Sequence, residues 1–272
     1  MRKITSTKLK EIQLGILQYI DSICRENHIE YSIGCGTLLG AVRHKGFIPW
    51  DDDIDIVILR DEYNKLIKAI REDNNELYEV LLPEDEGYFY NFAKVTDKRT
   101  LLIEDNWPTF CRLGVNVDLF PQDYLPEENP SSLVYKAWEY DKELKFCLTD
   151  IAYAHKKRYM RVLKRIVRYN QVRKSRKHNE WYWKNKIQNI VDNTKKSSKV
   201  ACLTSPPMVV WERRLFNKYI DIEFEKITCR CVKDYDEMLK VQYGDYMILP
   251  PEDKRKSNHD FVAVWKEREN LL

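Results

Sequence analysis

The sequence has no long apolar run: no window approaches the roughly 18 apolar residues that a membrane-spanning helix needs. Met1-Arg2-Lys3 opens with positive charge, but Glu11, Gln13, Gln18 and Asp21 break up the apolar residues that follow. Neither a signal peptide nor an N-terminal membrane anchor is therefore expected. Glycine is scarce, at eight in 272 residues, and no internal repeat or low-complexity linker is visible, so a folded chain is expected and a disordered one is not. A Cys-x-x-Cys pair is missing as well. Seven scattered cysteines, an odd number, argue against a zinc site or a disulfide framework and fit a reducing, cytoplasmic compartment. Overall charge of one sign is also lacking: 46 Lys and Arg against 43 Asp and Glu leave a net charge of +3.

The charge that is there is unevenly placed. Residues 150–199 carry 16 basic side chains against 3 acidic ones, so an acidic body holds a basic insert. Pro126 and Pro130 mark a boundary. These signals divide the chain into a core over 1–124 and a mainly helical region over 125–272, packed on the core or continuous with it as one compact domain.

Leu9, Ile12, Ile16, Ile20 and Ile23 recur at helical spacing and predict a helix over 8–25. Alternation from His28 to Cys35 predicts a strand, and residues 37–44 a short helix. An acidic strand after Pro49 and a helix over 61–70 follow, then strands over 78–82, 88–95, 101–104 and 114–121. Farther on, 220–225 alternates like a strand and 232–242 reads as a helix. This order predicts a mixed α/β sheet flanked by helices, with a mainly helical second half.

Residues 47–60 hold four acids, Asp51, Asp52, Asp53 and Asp55, beside an apolar run. On a strand, alternate side chains share a face. Asp51, Asp53 and Asp55 are therefore expected to point one way, while Ile54, Ile56 and Ile58 pack behind and Asp52 faces away to cap or meet a basic residue. Converging carboxylates raise one another's pKa unless a cation lies between them. Hard oxygen donors at that density suit Mg²⁺ or Mn²⁺ shared with substrate phosphates. Asp118, among apolar neighbours in its strand, is the expected third acid, as metal ligand and general base. Gly36 and Thr37 at a helix start let backbone N–H groups approach a phosphate. Arg43 and Lys94 read either as phosphate neutralisers or as plain surface charge, and His259 as a substrate contact or an exposed loop histidine.

The set Gly36-Thr37, Asp53-x-Asp55 and a later strand acid resembles the nucleotidyltransferase superfamily. More narrowly, the unbroken string from Gly36 to Asp55 resembles the LicD family of phosphocholine transferases, to which fukutin and fukutin-related protein are related. Lys94-Val95-x-Asp97 with Arg99-Thr100, Tyr243-Gly244-Asp245-Tyr246-Met247, the run over 249–255 and His259 are similar to further signatures of that family. The likeness covers roughly 8–125 and 220–262.

The resemblance implies a nucleotidyltransferase-type core with Mg²⁺ (or Mn²⁺) at Asp53, Asp55 and Asp118, assisted by Asp51. It implies transfer of phosphocholine from CDP-choline to a hydroxyl of a bacterial surface glycan, with release of CMP. The acceptor it implies is a teichoic acid, lipopolysaccharide or capsule precursor, lipid-linked or polymeric. Without the anchor and zinc cysteines of the eukaryotic relatives, a cytoplasmic enzyme is expected, peripheral at the inner face of the plasma membrane.

Two other functions stay open: a nucleotidylyltransferase that releases pyrophosphate, and a non-catalytic membrane or glycan adaptor. In the basic insert, Tyr159, Val162, Leu163, Ile166 and Val167 form an apolar stripe opposite Arg158, Arg161, Lys164, Arg165 and Arg168. This spacing predicts either a helix packed on the core through its stripe or attachment to anionic lipid. Nucleic-acid binding is not expected, because no recognition module is visible. A choline group also calls for an aromatic cage, whose residues the sequence does not single out.

Overall fold

The computed structural model of the chain describes residues 1–104, 109–153, 157–204, 209–257 and 261–267. Helix α1 (Ser6–Glu26) starts where the Thr5 side chain accepts from the Lys8 N–H at 3.3 Å. Its residues Leu9, Ile12, Ile16, Leu17, Ile20 and Ile23 keep the helix period and are buried against the sheet and its neighbours. Each such burial contributes about 1.5–3 kcal/mol of transfer free energy, which anchors the helix by one side.

Next come β1 (Ser32–Ile33), α2 (Cys35–His44), β2 (Asp55–Leu59), α3 (Arg60–Asp73), β3 (Tyr78–Leu81), β4 (Ala93–Asp97), β5 (Thr100–Glu104) and β6 (Asn116–Tyr124). The central sheet runs β1-β2-β6-β4-β3, with β2 and β6 parallel and the other neighbours antiparallel. Every residue of β2 and β4 is buried, the mark of strands covered on both faces. Register then decides the chemistry. Asp118 on β6 lies opposite Asp55 of β2 on one side and Lys94 of β4 on the other.

Helices α4 (Pro130–Leu148), α5 (Arg158–Ser175) and α6 (Glu180–Asp192) follow. Strands then return as β7 (Lys199–Ala201), β8 (Trp211–Glu212), β9 (Tyr219–Phe224) and β10 (Ile227–Val232), before α7 (Tyr235–Tyr243) and β11 (Phe261–Trp265). β7 pairs with the end of β6 and β8 with β7, while the β9–β10 hairpin lies against α1 and β1. Helix α7 lies on α2, and β11 pairs with β5, so pairings join segments on either side of residue 124. Among the described residues no helix is long and apolar enough to cross a membrane.

The mixed α/β sheet with flanking helices agrees with the sequence reading, but several elements differ. The strand expected over 28–35 shrinks to Ser32–Ile33, because Cys35 and Gly36 already belong to the first turn of α2. The acidic strand begins only at Asp55, and Asp51–Ile54 is a loop. Residues 88–92 form an aromatic loop ahead of β4. β7, β8, β10 and β11 have no counterpart in the reading: each is two to six residues long, and β7 and β11 are held by partners distant in sequence. Finally, the apolar stripe of α5 does not pack on the core: Tyr159, Val162, Leu163, Ile166 and Val167 are all exposed.

Candidate functional site

The site is assembled where the start of α2 meets the start of β2. Thr37 is buried, and its hydroxyl accepts the Asp55 N–H at 2.8 Å, while the Gly34 N–H donates to the Asp55 carbonyl at 2.9 Å. These two bonds tie the helix start to the strand start. Gly36 sits directly beneath the Asp51 carboxylate, and a Cβ built on it would overlap Oδ2 of Asp51. Only glycine leaves room for the acid there. The Gln13 side-chain amide donates to the Asp52 carbonyl at 2.9 Å and holds the acidic loop from the α1 side.

Three carboxylates of that loop converge. One oxygen each of Asp51, Asp52 and Asp53 lies within 4.8 Å of the others. The expected convergence of Asp51 with Asp53 is therefore real, but its cause is loop folding and not strand alternation. Asp52 was expected to face away. Instead it joins its neighbours and also accepts from the Ser257 hydroxyl at 2.7 Å, because a loop is free of the period-two rule.

Asp55 lies below them at the start of β2 and is buried. Its carboxyl is pushed well above the usual range, first by burial and then by Asp53, Asp118 and Asp51, with Lys94 opposing. Lys94, also buried, places its ammonium 2.6 and 2.8 Å from the two oxygens of Asp118. The Asn116 amide donates to the same carboxylate at 2.6 Å. Lys94 Nζ further lies 4.3 Å from the Tyr90 ring centre and 5.2 Å from that of Phe92.

Two cavities meet at Cys35, Asp53 and Asp55. One, of about 380 Å³, is lined by Phe89, Tyr90, Phe92 and Phe120 together with Glu104, Asp118 and Asp141. The Tyr90 hydroxyl donates to Glu104 at 2.6 Å, so acid and aromatic face share one wall. The other, of about 480 Å³, is lined by Gly36, Arg43, Trp50, Tyr243, Tyr246, Lys254 and Lys256. Arg43 is fixed there by donation to the Tyr246 carbonyl at 2.7 Å.

The structure thus gathers Asp51, Asp53, Asp55, Asp118, Gly36, Arg43 and Lys94 around two adjoining cavities and sets Thr37 just beneath them. His259 lies outside the described residues. Five residues were not singled out by the sequence reading. Asn116 and Phe120 stand two residues either side of Asp118, and strand alternation alone puts all three on one face. Tyr90 and Phe92 were read as part of a strand, and Glu104 carried no local signal.

The donor set fits a hard divalent cation. Its oxygens are carboxylate oxygens, and Asp55 is held above its usual range by burial first and then by the acids around it, which a cation between them would offset. Cys35 borders both cavities, but burial, with Asp55 and Asp53 beside it, drives its thiol well above the ordinary value, so it stays protonated and offers no thiolate.

A family model described as LicD/FKTN/FKRP, nucleotidyltransferase domain, matches residues 28–157. The lipopolysaccharide cholinephosphotransferase LicD of Haemophilus influenzae is 32% identical over 275 residues, covering 95% of this chain and 97% of its own length. An uncharacterized protein of Rickettsia typhi is 35% identical over 91 residues, or 30% of this chain and 29% of its own. Another, of Rickettsia prowazekii, is 60% identical over 37 residues, or 14% of each.

Proposed function

The chain belongs to the LicD family, and from that membership together with the geometry of the site we propose that it transfers phosphocholine from CDP-choline to a hydroxyl of a surface glycan such as lipopolysaccharide, releasing CMP. The observation that carries this reading is that Asp53 and Asp55 line both cavities at once. A group bound across that junction has one end in a basic, aromatic chamber and the other in an acidic, aromatic one.

Those chambers match the two ends of the donor. A nucleotide is anionic at its phosphates and flat at its base, and Arg43, Lys254 and Lys256 with Trp50 and Tyr243 offer cations and ring faces. A trimethylammonium group has no N–H to donate and is stabilised by aromatic faces and nearby carboxylates. Tyr90, Phe92 and Phe120 beside Glu104 provide both. The Lys94 ammonium already rests over two of those rings, which supports this wall as cation-binding.

Asp53, Asp55 and Asp118, with Asp51 assisting, would hold Mg²⁺ or Mn²⁺. When bound, such an ion neutralises phosphate charge as the bond to the leaving CMP breaks. The side chains perform the rest. The acceptor hydroxyl forms the new P–O bond, CMP departs with the electrons of the old one, and Asp118, steadied by Lys94 and Asn116, takes the hydroxyl proton. The acceptor is lipid-linked or polymeric, so the enzyme works peripherally at the inner face of the membrane. All seven cysteines are unpaired thiols, in keeping with a cytoplasmic setting.

The test is release of CMP from CDP-choline in the presence of Mg²⁺ and lipopolysaccharide, with Asp53→Ala alongside the wild type. Metal-dependent CMP release that the variant lacks is the expected result. Pyrophosphate from a nucleoside triphosphate, with no CMP from CDP-choline, would replace this reading with nucleotidyl transfer.

A further inference from the structure

Helix α5 is built inside out. A surface helix ordinarily turns its apolar side to the core and its charges to water. Here Tyr159, Val162, Leu163, Ile166, Val167 and Tyr169 fall on one side of the helix, and all six are exposed, Ile166 and Val167 at 72% each. The side turned toward the protein is polar. Arg168 donates to the Ala152 carbonyl at 3.1 Å, and Gln171 and Ser175 both donate to Glu143 of α4. Val172 is the apolar residue on that inner side that is fully buried. Six neighbouring apolar side chains facing out exceed the scattered exposure of an ordinary surface.

The charge around the stripe names its partner. α5 contains no acidic residue. Arg158 and Arg165 are exposed along one flank, and Arg173 and Lys174 are exposed at the C-terminal end. Long basic side chains beside an apolar stripe place their stems with the stripe and their heads at an anionic surface. A second copy of the same helix would bring Arg158 and Arg165 against their own kind. We propose that α5 is an interfacial helix that seats its apolar stripe in the head-group region of an anionic membrane.

The seat is close to the chemistry. Asp141 and Lys145 of α4 border the aromatic cavity, and Glu143, on the opposite face of the same helix, holds α5. Docking α5 therefore brings α4, whose other face lines the site, close to the membrane where a lipid-linked acceptor resides. This deepens the functional reading above, but the binding itself requires no turnover.

The experiment is co-sedimentation of the full chain with vesicles of phosphatidylcholine alone and with equimolar phosphatidylcholine and phosphatidylglycerol. The wild type is expected on the anionic vesicles, less so at higher salt, and to stay off the neutral ones. Ile166→Asp with Val167→Asp is expected to lose affinity by about tenfold or more, with an unchanged melting temperature because both positions are exposed. Arg158→Ala with Arg165→Ala and Arg173→Ala leaves the stripe intact and is expected to lose affinity by about a hundredfold, at about 1 kcal/mol per basic residue. Absence of wild-type binding to anionic vesicles overturns the proposal, as does wild-type affinity in both variants. A dimer abolished by the Asp pair, without vesicle affinity, assigns the stripe to a second copy instead. CMP release with a detergent-dispersed acceptor needs no vesicles, so failure of the membrane seat and failure of the catalytic reading are separately visible.

Discussion

The Lys94 ammonium grips both oxygens of Asp118 from the neighbouring strand, at 2.6 and 2.8 Å, and register alone puts the two side by side. The pair is nearly dry, with side-chain exposures of 8% and 14%. Removing one partner of such a pair leaves a charge without compensation, which costs roughly 3–5 kcal/mol when burial is complete and somewhat less here. Lys94→Met is therefore expected to lower stability in urea denaturation and to cut turnover roughly 10²-fold, the scale of losing one charged donor at a reacting centre. Lys94→Met with Asp118→Asn should recover much of the stability and none of the turnover. A double variant no more stable than the single one would show that the pair is not an energetic unit.

Asp55 makes stability depend on pH in a definite direction. Its carboxyl titrates well above the usual range in the folded protein, for burial first and then for the acids around it. The folded state thus holds this proton more tightly than the unfolded state does. The stability from Asp55 is full below the ordinary carboxylate range and is lost as pH rises through the raised value. In the absence of divalent cation, the melting temperature should fall toward neutral pH more steeply in the wild type than in Asp55→Asn. Adding Mg²⁺ at neutral pH should restore the wild type by a few degrees and do little for the variant. Equal responses of the two proteins to Mg²⁺ would remove Asp55 from the proposed metal site.

Two glycines of α2 separate site geometry from fold. A Cβ at Gly36 would meet the carboxylate tip of Asp51, whereas one at Gly40 would meet the backbone carbonyl of Gly46. A side-chain tip moves cheaply and a backbone does not. Gly36→Ala should displace Asp51 with little change in melting temperature, and misplacement of that order costs roughly 10²-fold in turnover. Gly40→Ala should lose roughly 1–3 kcal/mol of stability by overpacking. Thermal melts beside CMP-release rates distinguish the two. A Gly36→Ala enzyme with normal turnover would mean that Asp51 has no part in the chemistry.

Much of this site is legible in the chain because its signals are local. The apolar period of α1, the Gly36-Thr37 helix start and the dense acids ahead of a run of Ile and Val each report a structure built within a few residues. Asp51 and Asp52 show the limit of that logic. They were read with strand alternation, yet strand pairing begins at Asp55, and the loop before it is shaped by Gln13 and Gly36 from other elements. Strand β11 depends on β5, more than 150 residues earlier in the chain, so no local pattern specifies its partner. Helix α5 marks a third limit. Its periodicity was plain, but which side faces the protein is decided by Glu143 and the Ala152 carbonyl, which periodicity does not report.

The proposed division of the donor between two cavities predicts distinct kinetic signatures. Phe92 lies 4.6 Å from Phe120 and 5.3 Å from Tyr90, centre to centre, so the three rings form one wall with Glu104 bonded to Tyr90. A cation held over such faces is stabilised by roughly 0.5–2 kcal/mol. Phe92→Leu keeps apolar volume but removes a face, and should raise the KM for CDP-choline roughly three- to tenfold while leaving inhibition by CMP unchanged, since CMP carries no choline. Lys254 stands in the other cavity, with Arg43 and Trp50. Lys254→Ala should weaken CMP inhibition and CDP-choline binding together, by a few-fold at ordinary salt and less when salt is raised, as screening of an exposed charge requires. Measuring KM and the CMP inhibition constant for both variants gives a two-by-two pattern. If Phe92→Leu weakened CMP as strongly as CDP-choline, the aromatic cavity would hold the nucleotide, and the orientation of the donor across Asp53 and Asp55 would be reversed.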